Sequence, residues 1–202
     1  MTILLWLAAA YAIGCLNAGY YVVKLRSGRD IRKLGSGNAG ATNAGRLLGG
    51  RAYLLVLVFD AAKMLAALKL AALLFPGPGA AAATMPAVLL GHIFPAQLKF
   101  RGGKGIASLV GGGLYLLTLP LALFTALVFG VLYLATRNYY HSGLTALGAL
   151  PLIYPVSARL AGAPVDWALA ASLAACLALI LAVSLRPDRT ARDAAKRKGG
   201  AA

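Results

Sequence analysis

The chain carries seven apolar runs, at residues 2–23, 52–75, 84–98, 105–117, 119–136, 142–158 and 165–185. A bilayer core about 30 Å thick takes roughly 20 apolar residues of helix to cross. Hydrophobic residues fill 60% of the 202 positions, against about 45–50% in soluble domains. The pattern predicts an all-α integral membrane protein with one polytopic domain, residues 1–185, and a basic tail, 186–202. The run 105–117 reaches only about 20 Å as helix, so it either starts within the membrane or does not cross. The first run lacks the positive n-region of a signal peptide and is read as an uncleaved span.

Twenty Lys and Arg stand against five acidic residues, all Asp, for a net charge of +15. These cations lie between apolar runs rather than on one soluble face, which argues against nucleic acid as a partner. Short cytoplasmic loops collect Lys and Arg. Lys24, Arg26, Arg29, Arg32, Lys33, Arg46 and Arg51 follow the first run, Lys99, Arg101 and Lys104 the third, and Arg137 the fifth. Arg186, Arg189, Arg192, Lys196, Arg197 and Lys198 close the chain, whereas the opposite loops hold only Arg159. Seven crossings put all four basic sets on one side, with the N-terminus outside and the C-terminus cytoplasmic. Pro76, Pro78, Pro86, Pro95, Pro120, Pro155 and Pro164 lie near the expected boundaries, as suits a helix breaker. Cys15 and Cys176 fall in apolar runs, offer no disulfide framework and read as core residues.

Two polar segments interrupt this pattern. The first, "GSGNAGATNAGR" at 35–46, lies in the first basic loop. Glycine admits close approach to the backbone, and successive free N–H groups form a nest for anions. Ser36, Asn38, Thr42 and Asn43 add neutral donors, and Arg46 adds a planar fork suited to phosphate. The second is "GHIFPAQLKFRGGKGIAS" at 91–108, where Gly102, Gly103 and Gly105 surround Lys104 ahead of a helix. A glycine turn feeding a helix N-terminus is an anion site. It is not a Walker A loop, because Leu98 and Gly105 stand where that pattern needs Gly and Ser or Thr. Two cationic glycine loops on one face point to a shared phosphate pocket. The first also reads as a flexible connector of small residues, and the second as a cytoplasmic loop that obeys the positive-inside rule.

Other polar residues have two readings each. His92 is a general base or a structural histidine at a helix end. Asp60 and Lys63, at i and i+3 in an apolar run, form a neutralising pair or a proton relay. Lys69 snorkels outward. Ser142 and Thr145 in "YYHSGLTAL" donate to a polar substrate or back-bond to their own helix.

These motifs, "GSGNAGATNAGR", then Asp60-Ala-Ala-Lys63, then "GHIFP…FRGGKGIAS", resemble in order and spacing the bacterial acyl-phosphate:glycerol-3-phosphate acyltransferase family (PlsY family). The resemblance runs from about residue 10 to 146. It implies a seven-span enzyme of the bacterial inner membrane, with its active site facing the cytoplasm. It would move a fatty acyl group from acyl phosphate to the 1-hydroxyl of glycerol 3-phosphate, giving lysophosphatidic acid and phosphate for phospholipid synthesis. The implied phosphate-binding residues are Ser36, Gly37, Asn38, Gly40, Thr42, Asn43, Arg46, Gly102, Gly103 and Lys104. Lys104, Ser142 and His92 are the catalytic candidates, with Ser142 matching the serine of the family's third motif. An activated donor needs no Ser–His–Asp triad, metal or cofactor, and its own phosphate is the favoured base, with His92 the alternative. The family often ends its last span with His-Arg-x-Asn-Ile. Here the stretch is "LRPDR": Arg186 matches, Leu185 replaces the histidine and Asp188 the asparagine. The rival reading is a membrane transporter for a phosphorylated solute, which would favour internal repeats with discontinuous helices. A third is an assembly subunit without activity.

Overall fold

The computed structural model describes residues 2–77 and 79–185, with Tyr139 and Tyr140 described by backbone only. Helix fills all seven apolar runs, and no strand occurs among the described residues. The helices are α1 (Ile3–Cys15), α2 (Ala18–Ser27), α3 (Ala41–Leu48), α4 (Gly50–Leu74), α5 (Ala80–Ile93), α6 (Ile106–Tyr115), α7 (Leu119–Thr136), α8 (Tyr139–Gly148), α9 (Leu150–Leu160) and α10 (Trp167–Ser184). Among the described residues, four spans are long and apolar enough to cross a membrane: Ile3–Ser27, Ala80–Leu98, Leu119–Thr136 and Trp167–Ser184. The bent pair His141–Gly148 and Leu150–Leu160 makes a fifth. Helix α4 has 25 residues, about 37 Å at the usual rise, but carries Asp60, Lys63 and Lys69. Helix α6 has 10 residues, short as its run foretold.

Local chemistry sets several boundaries. Thr118 caps α7 by accepting from the Leu121 N–H, with Pro120 in the first turn, where its missing N–H costs nothing. Asp166 caps α10 through the Leu169 N–H at 3.0 Å. Pro151 opens α9 beside a 55° bend, because proline cannot continue the hydrogen-bond ladder of α8.

Four expectations are corrected. The first run is not one helix: it breaks at Leu16–Asn17 and continues to Ser27. The third run starts at Ala80, four residues early. Pro86 and Pro155 sit inside α5 and α9 rather than at ends. The first polar segment is not all loop, since its second half forms α3.

The packed centre joins α1, α4, α5, α6, α9 and α10 around Met64, Leu68, Met85, Leu89, Leu173 and Ile180, all buried. Small residues let helices touch: any side chain at Gly14 of α1 or Gly91 of α5 would strike the opposite backbone. That is the usual device where lipid supplies no hydrophobic drive between helices. Cys15 and Cys176 are buried free thiols. A second, smaller core of Val23, Ile31, Ala39, Ala44 and Val56 sits under the first polar segment and anchors it to α2 and α4.

Candidate functional site

The break in the first span positions everything near it. A helix end leaves carbonyls without partners, and inside a membrane each must find one. The Lys63 ammonium takes the Gly14 and Leu16 carbonyls at 3.1 and 2.8 Å. Asn17 and Gln97 side chains both donate to the Cys15 carbonyl. Lys63 also lies 2.8 Å from an Asp60 carboxylate oxygen and 2.9 Å from His92 Nδ1. The pair expected on one helix face is therefore formed, and His92 joins it.

The first polar segment is organised by a single buried amide. Asn43 is 1% exposed. Its oxygen accepts from the Ser36 N–H at 3.2 Å. Its nitrogen donates to the carbonyls of Leu34 and Asn38 at 3.0 Å and of Ile31 at 3.4 Å. The Asn43 side chain thus shapes the loop and is spent on it. Beside it, Arg32 forks onto Asp30 at 2.7 Å, donates to the Leu98 carbonyl and stacks on Tyr20. The Arg32 hydrogen bond holds the Asp30 carboxyl below its usual range. Through Leu98, Arg32 also ties the chain just before the first polar segment to the second.

The second segment turns sharply at Lys99 and Phe100, both left-handed at φ 54° and 56°. Such a conformation costs a non-glycine residue about 1–2 kcal/mol. The chain then folds back onto the end of α5. Gly102 and Gly103 donate to the carbonyls of Ile93 and His92 at 3.0 and 3.1 Å. Gly103 lies against the His92 ring, so a methyl there would strike the imidazole. Gly105, at φ 89°, starts α6. The Ala39 N–H donates to the Gly102 carbonyl at 3.4 Å, so the two polar segments touch. Counted along the chain from that bond, Asn38 and Lys104 have Cα atoms within about 16 Å.

The expected site residues now divide. Ser36, Asn38 and Lys104 are half-buried, Thr42 and Arg46 exposed, and among the described residues the side chains of these five have no hydrogen-bond or ion-pair partner. Gly40 sits at the N-terminus of α3, where the N–H groups of Ala41, Thr42 and Asn43 precede the first helical bond. The first-turn N–H groups of α6 stand likewise behind Lys104. Helix starts of this kind attract anions. By contrast, the N–H groups of Gly37, Gly102 and Gly103 are used internally, so these glycines serve the turn rather than a nest. His92 is 2% exposed, enclosed between Lys63 and Gly103. Ser142 is bonded locally: its hydroxyl donates to the Asn138 carbonyl at 2.8 Å and meets Thr136. Thr145 back-bonds to His141. Leu185 is exposed, and Arg186, Pro187 and Asp188 lie outside the described residues, as does the tail. Gln97 and Asn17 were missed; a polar residue inside an apolar run was their only signal.

Away from the cations, α6 to α9 enclose an apolar groove of about 470 Å³. Val110, Gly113 and Leu114 form its α6 side, at helical spacing on one face, and Leu117 just beyond the helix continues it. One helix therefore has the cationic glycine turn at its start and the groove along its flank.

Known proteins match this arrangement. The family described as glycerol-3-phosphate acyltransferase matches residues 4–191. Glycerol-3-phosphate acyltransferase 1 of Bacillus cereus is 38% identical over 148 residues, 73% of this chain and 81% of that protein. Its namesake in Desulfitobacterium hafniense is 40% identical over 156 residues, 77% of each. Crystal structures of PlsY, an integral membrane glycerol 3-phosphate acyltransferase, are similar in two forms. The glycerol 3-phosphate form aligns at TM-score 0.69 and 30% identity, over 88% of this chain and 86% of that one. The lysophosphatidic acid form aligns at 0.71 and 29%, over 90% and 87%. The chain belongs to the glycerol-3-phosphate acyltransferase family of integral membrane proteins.

Proposed function

We propose that this protein transfers a fatty acyl group from acyl phosphate to the 1-hydroxyl of glycerol 3-phosphate, at the cytoplasmic face of a bacterial inner membrane. The observation that carries this reading is the contact between the two glycine segments, which between them carry five polar side chains without a partner among the described residues. Both substrates end in phosphate, and one carries a lipid tail. A cationic cradle beside an apolar groove suits both ends of the donor. In this reading the helices make seven crossings, with the N-terminus outside and the C-terminus inside, which collects the basic loops on the side of the cradle.

Acyl phosphate is already activated, so the protein's work is to orient two substrates and stabilise charge. The acceptor oxygen attacks the acyl carbon, the carbon–oxygen bond to phosphate breaks, and the hydroxyl proton leaves with the phosphate. Lys104 and Arg46 balance the negative charge, while Ser36, Asn38 and Thr42 supply neutral donors. His92, walled in by Lys63 and Gly103, supports the turn and takes no proton. Ser142, bonded to its own helix, shapes the α7–α8 junction.

Purified protein in detergent, given synthetic acyl phosphate and glycerol 3-phosphate, is expected to release phosphate and lysophosphatidic acid in equal amounts. Testing several polyol phosphates reads the acceptor preference of a chain with "LRPDR" after its last span. Transport of a phosphorylated solute into liposomes without phosphate release would replace this function with the transporter. Arg46→Lys keeps the charge but loses the planar fork, so the KM for a phosphate substrate should rise about tenfold. Unchanged KM values remove the bidentate role. Ala122→Phe fills the groove between α6 and α7. Its kcat/KM should fall about tenfold for a long-chain donor and little for a short-chain one. Equal losses on both donors would place the acyl chain elsewhere.

A further inference from the structure

We infer that Asp60, Lys63 and His92 are positioning residues that lock the Gly102–Gly105 turn to the break in the first span, holding the two glycine segments in register. The inference rests on the acyl-transfer reading above and deepens it. Charges inside a helix bundle are costly and mark function more often than packing. Replacing a buried ion pair by apolar residues is often neutral or stabilising, so stability does not account for this trio. Its contacts do. Asp60, Lys63 and His92 are 0%, 6% and 2% exposed, and they lie beneath the cradle rather than in it.

From Lys63 the contacts run in a closed circuit. Lys63 holds the Gly14 and Leu16 carbonyls at the helix break. Three residues beyond Leu16, Gly19 of α2 lies against the Ala39 carbonyl with no room for a side chain. The Ala39 N–H reaches the Gly102 carbonyl, and the Gly102 and Gly103 N–H groups return to Ile93 and His92. His92 Nδ1 then meets Lys63 again at 2.9 Å. One ammonium thus joins the first span, the first glycine segment and the second. Its loss would leave two carbonyls, the Asp60 carboxylate and His92 without it.

The test compares full-length wild type, Lys63→Met and the charge-free Asp60→Asn/Lys63→Met in detergent. Folding is checked by thermal unfolding. Amide exchange at Gly102 and Gly103, read without substrate, is expected to quicken about tenfold or more in both variants. KM for glycerol 3-phosphate should rise about tenfold with kcat held within about threefold. Exchange and KM returning to wild-type values in the double variant would show mere charge balance and overturn the inference. So would wild-type exchange in folded Lys63→Met. If those variants fail to fold, His92→Gln, which still offers Lys63 an acceptor, is compared with His92→Leu. Faster turn exchange in the leucine variant supports the inference, and wild-type exchange in both overturns it. A wild type that transfers no acyl group defeats the functional reading, while the exchange result still decides this one.

Discussion

Lys104→Ala is expected to lower kcat/KM for acyl transfer by about 10²-fold or more, the scale of losing one preorganised electrostatic donor. Lys104 is half-buried and follows a turn whose N–H groups are already committed to α5. The turn cannot replace its charge with free N–H groups from Gly102 or Gly103. No side chain among the described residues neutralises it. Its removal breaks no ion pair among the described residues, so the unfolding midpoint should move little. Lys104→Arg keeps the charge on a longer, planar group and is expected to retain part of the activity. Steady-state kinetics of purified variants check this, and near-normal turnover by Lys104→Ala would remove it from the reaction.

Asn43→Ala is expected to cause a comparable loss by another route. One buried amide makes four hydrogen bonds that set the course of the chain from Ile31 to Asn38. Leaving buried backbone groups unpaired costs about 1–3 kcal/mol each, which favours local rearrangement of the loop. The loop carries Ser36 and Asn38, and its Ala39 touches the second segment. We expect kcat/KM about 10²-fold lower, since a displacement of about 1 Å at a site can cost that much. The main thermal transition should shift only modestly, because this loop packs on the smaller core of Val23, Ile31 and Val56 rather than on the larger one around Met64 and Leu89. Asn43→Asp keeps the acceptor for Ser36 but loses the donors, and should fall between. Wild-type kinetics in a folded Asn43→Ala protein would show that the loop does not need its tie.

Much of this was legible in the chain. Apolar runs long enough for a bilayer located the helices, and the glycine and cation pattern located the two segments that meet. What stayed hidden has physical reasons. The break at Leu16–Asn17 depends on Lys63 and Gln97, 47 and 82 positions away from the carbonyls they cap, and local pattern carries no such information. Pro86 and Pro155 stand inside helices because neighbours in a packed bundle can satisfy the freed groups. Glycine in a cationic loop reads alike whether its N–H faces a ligand or its missing side chain admits a neighbour. At Gly103 the neighbour is His92. Asn43 and Asn38 stand in one motif, yet burial makes the first a strut, while the amide of the second has no partner among the described residues. Ser142 shows the same ambiguity for a hydroxyl in a helix, which bonds to the turn before it when nothing better is near.

The measurement that bears most directly on a shared cradle is a double-mutant cycle on kcat/KM with Asn38→Ala and Lys104→Ala. The two residues come from different glycine segments, joined by the Ala39–Gly102 hydrogen bond. If both serve one bound head group, the double variant should lose less than the sum of the single losses, with a coupling of about 1 kcal/mol or more. Losses that add to within about 0.3–0.5 kcal/mol would mean independent sites, and would contradict the account.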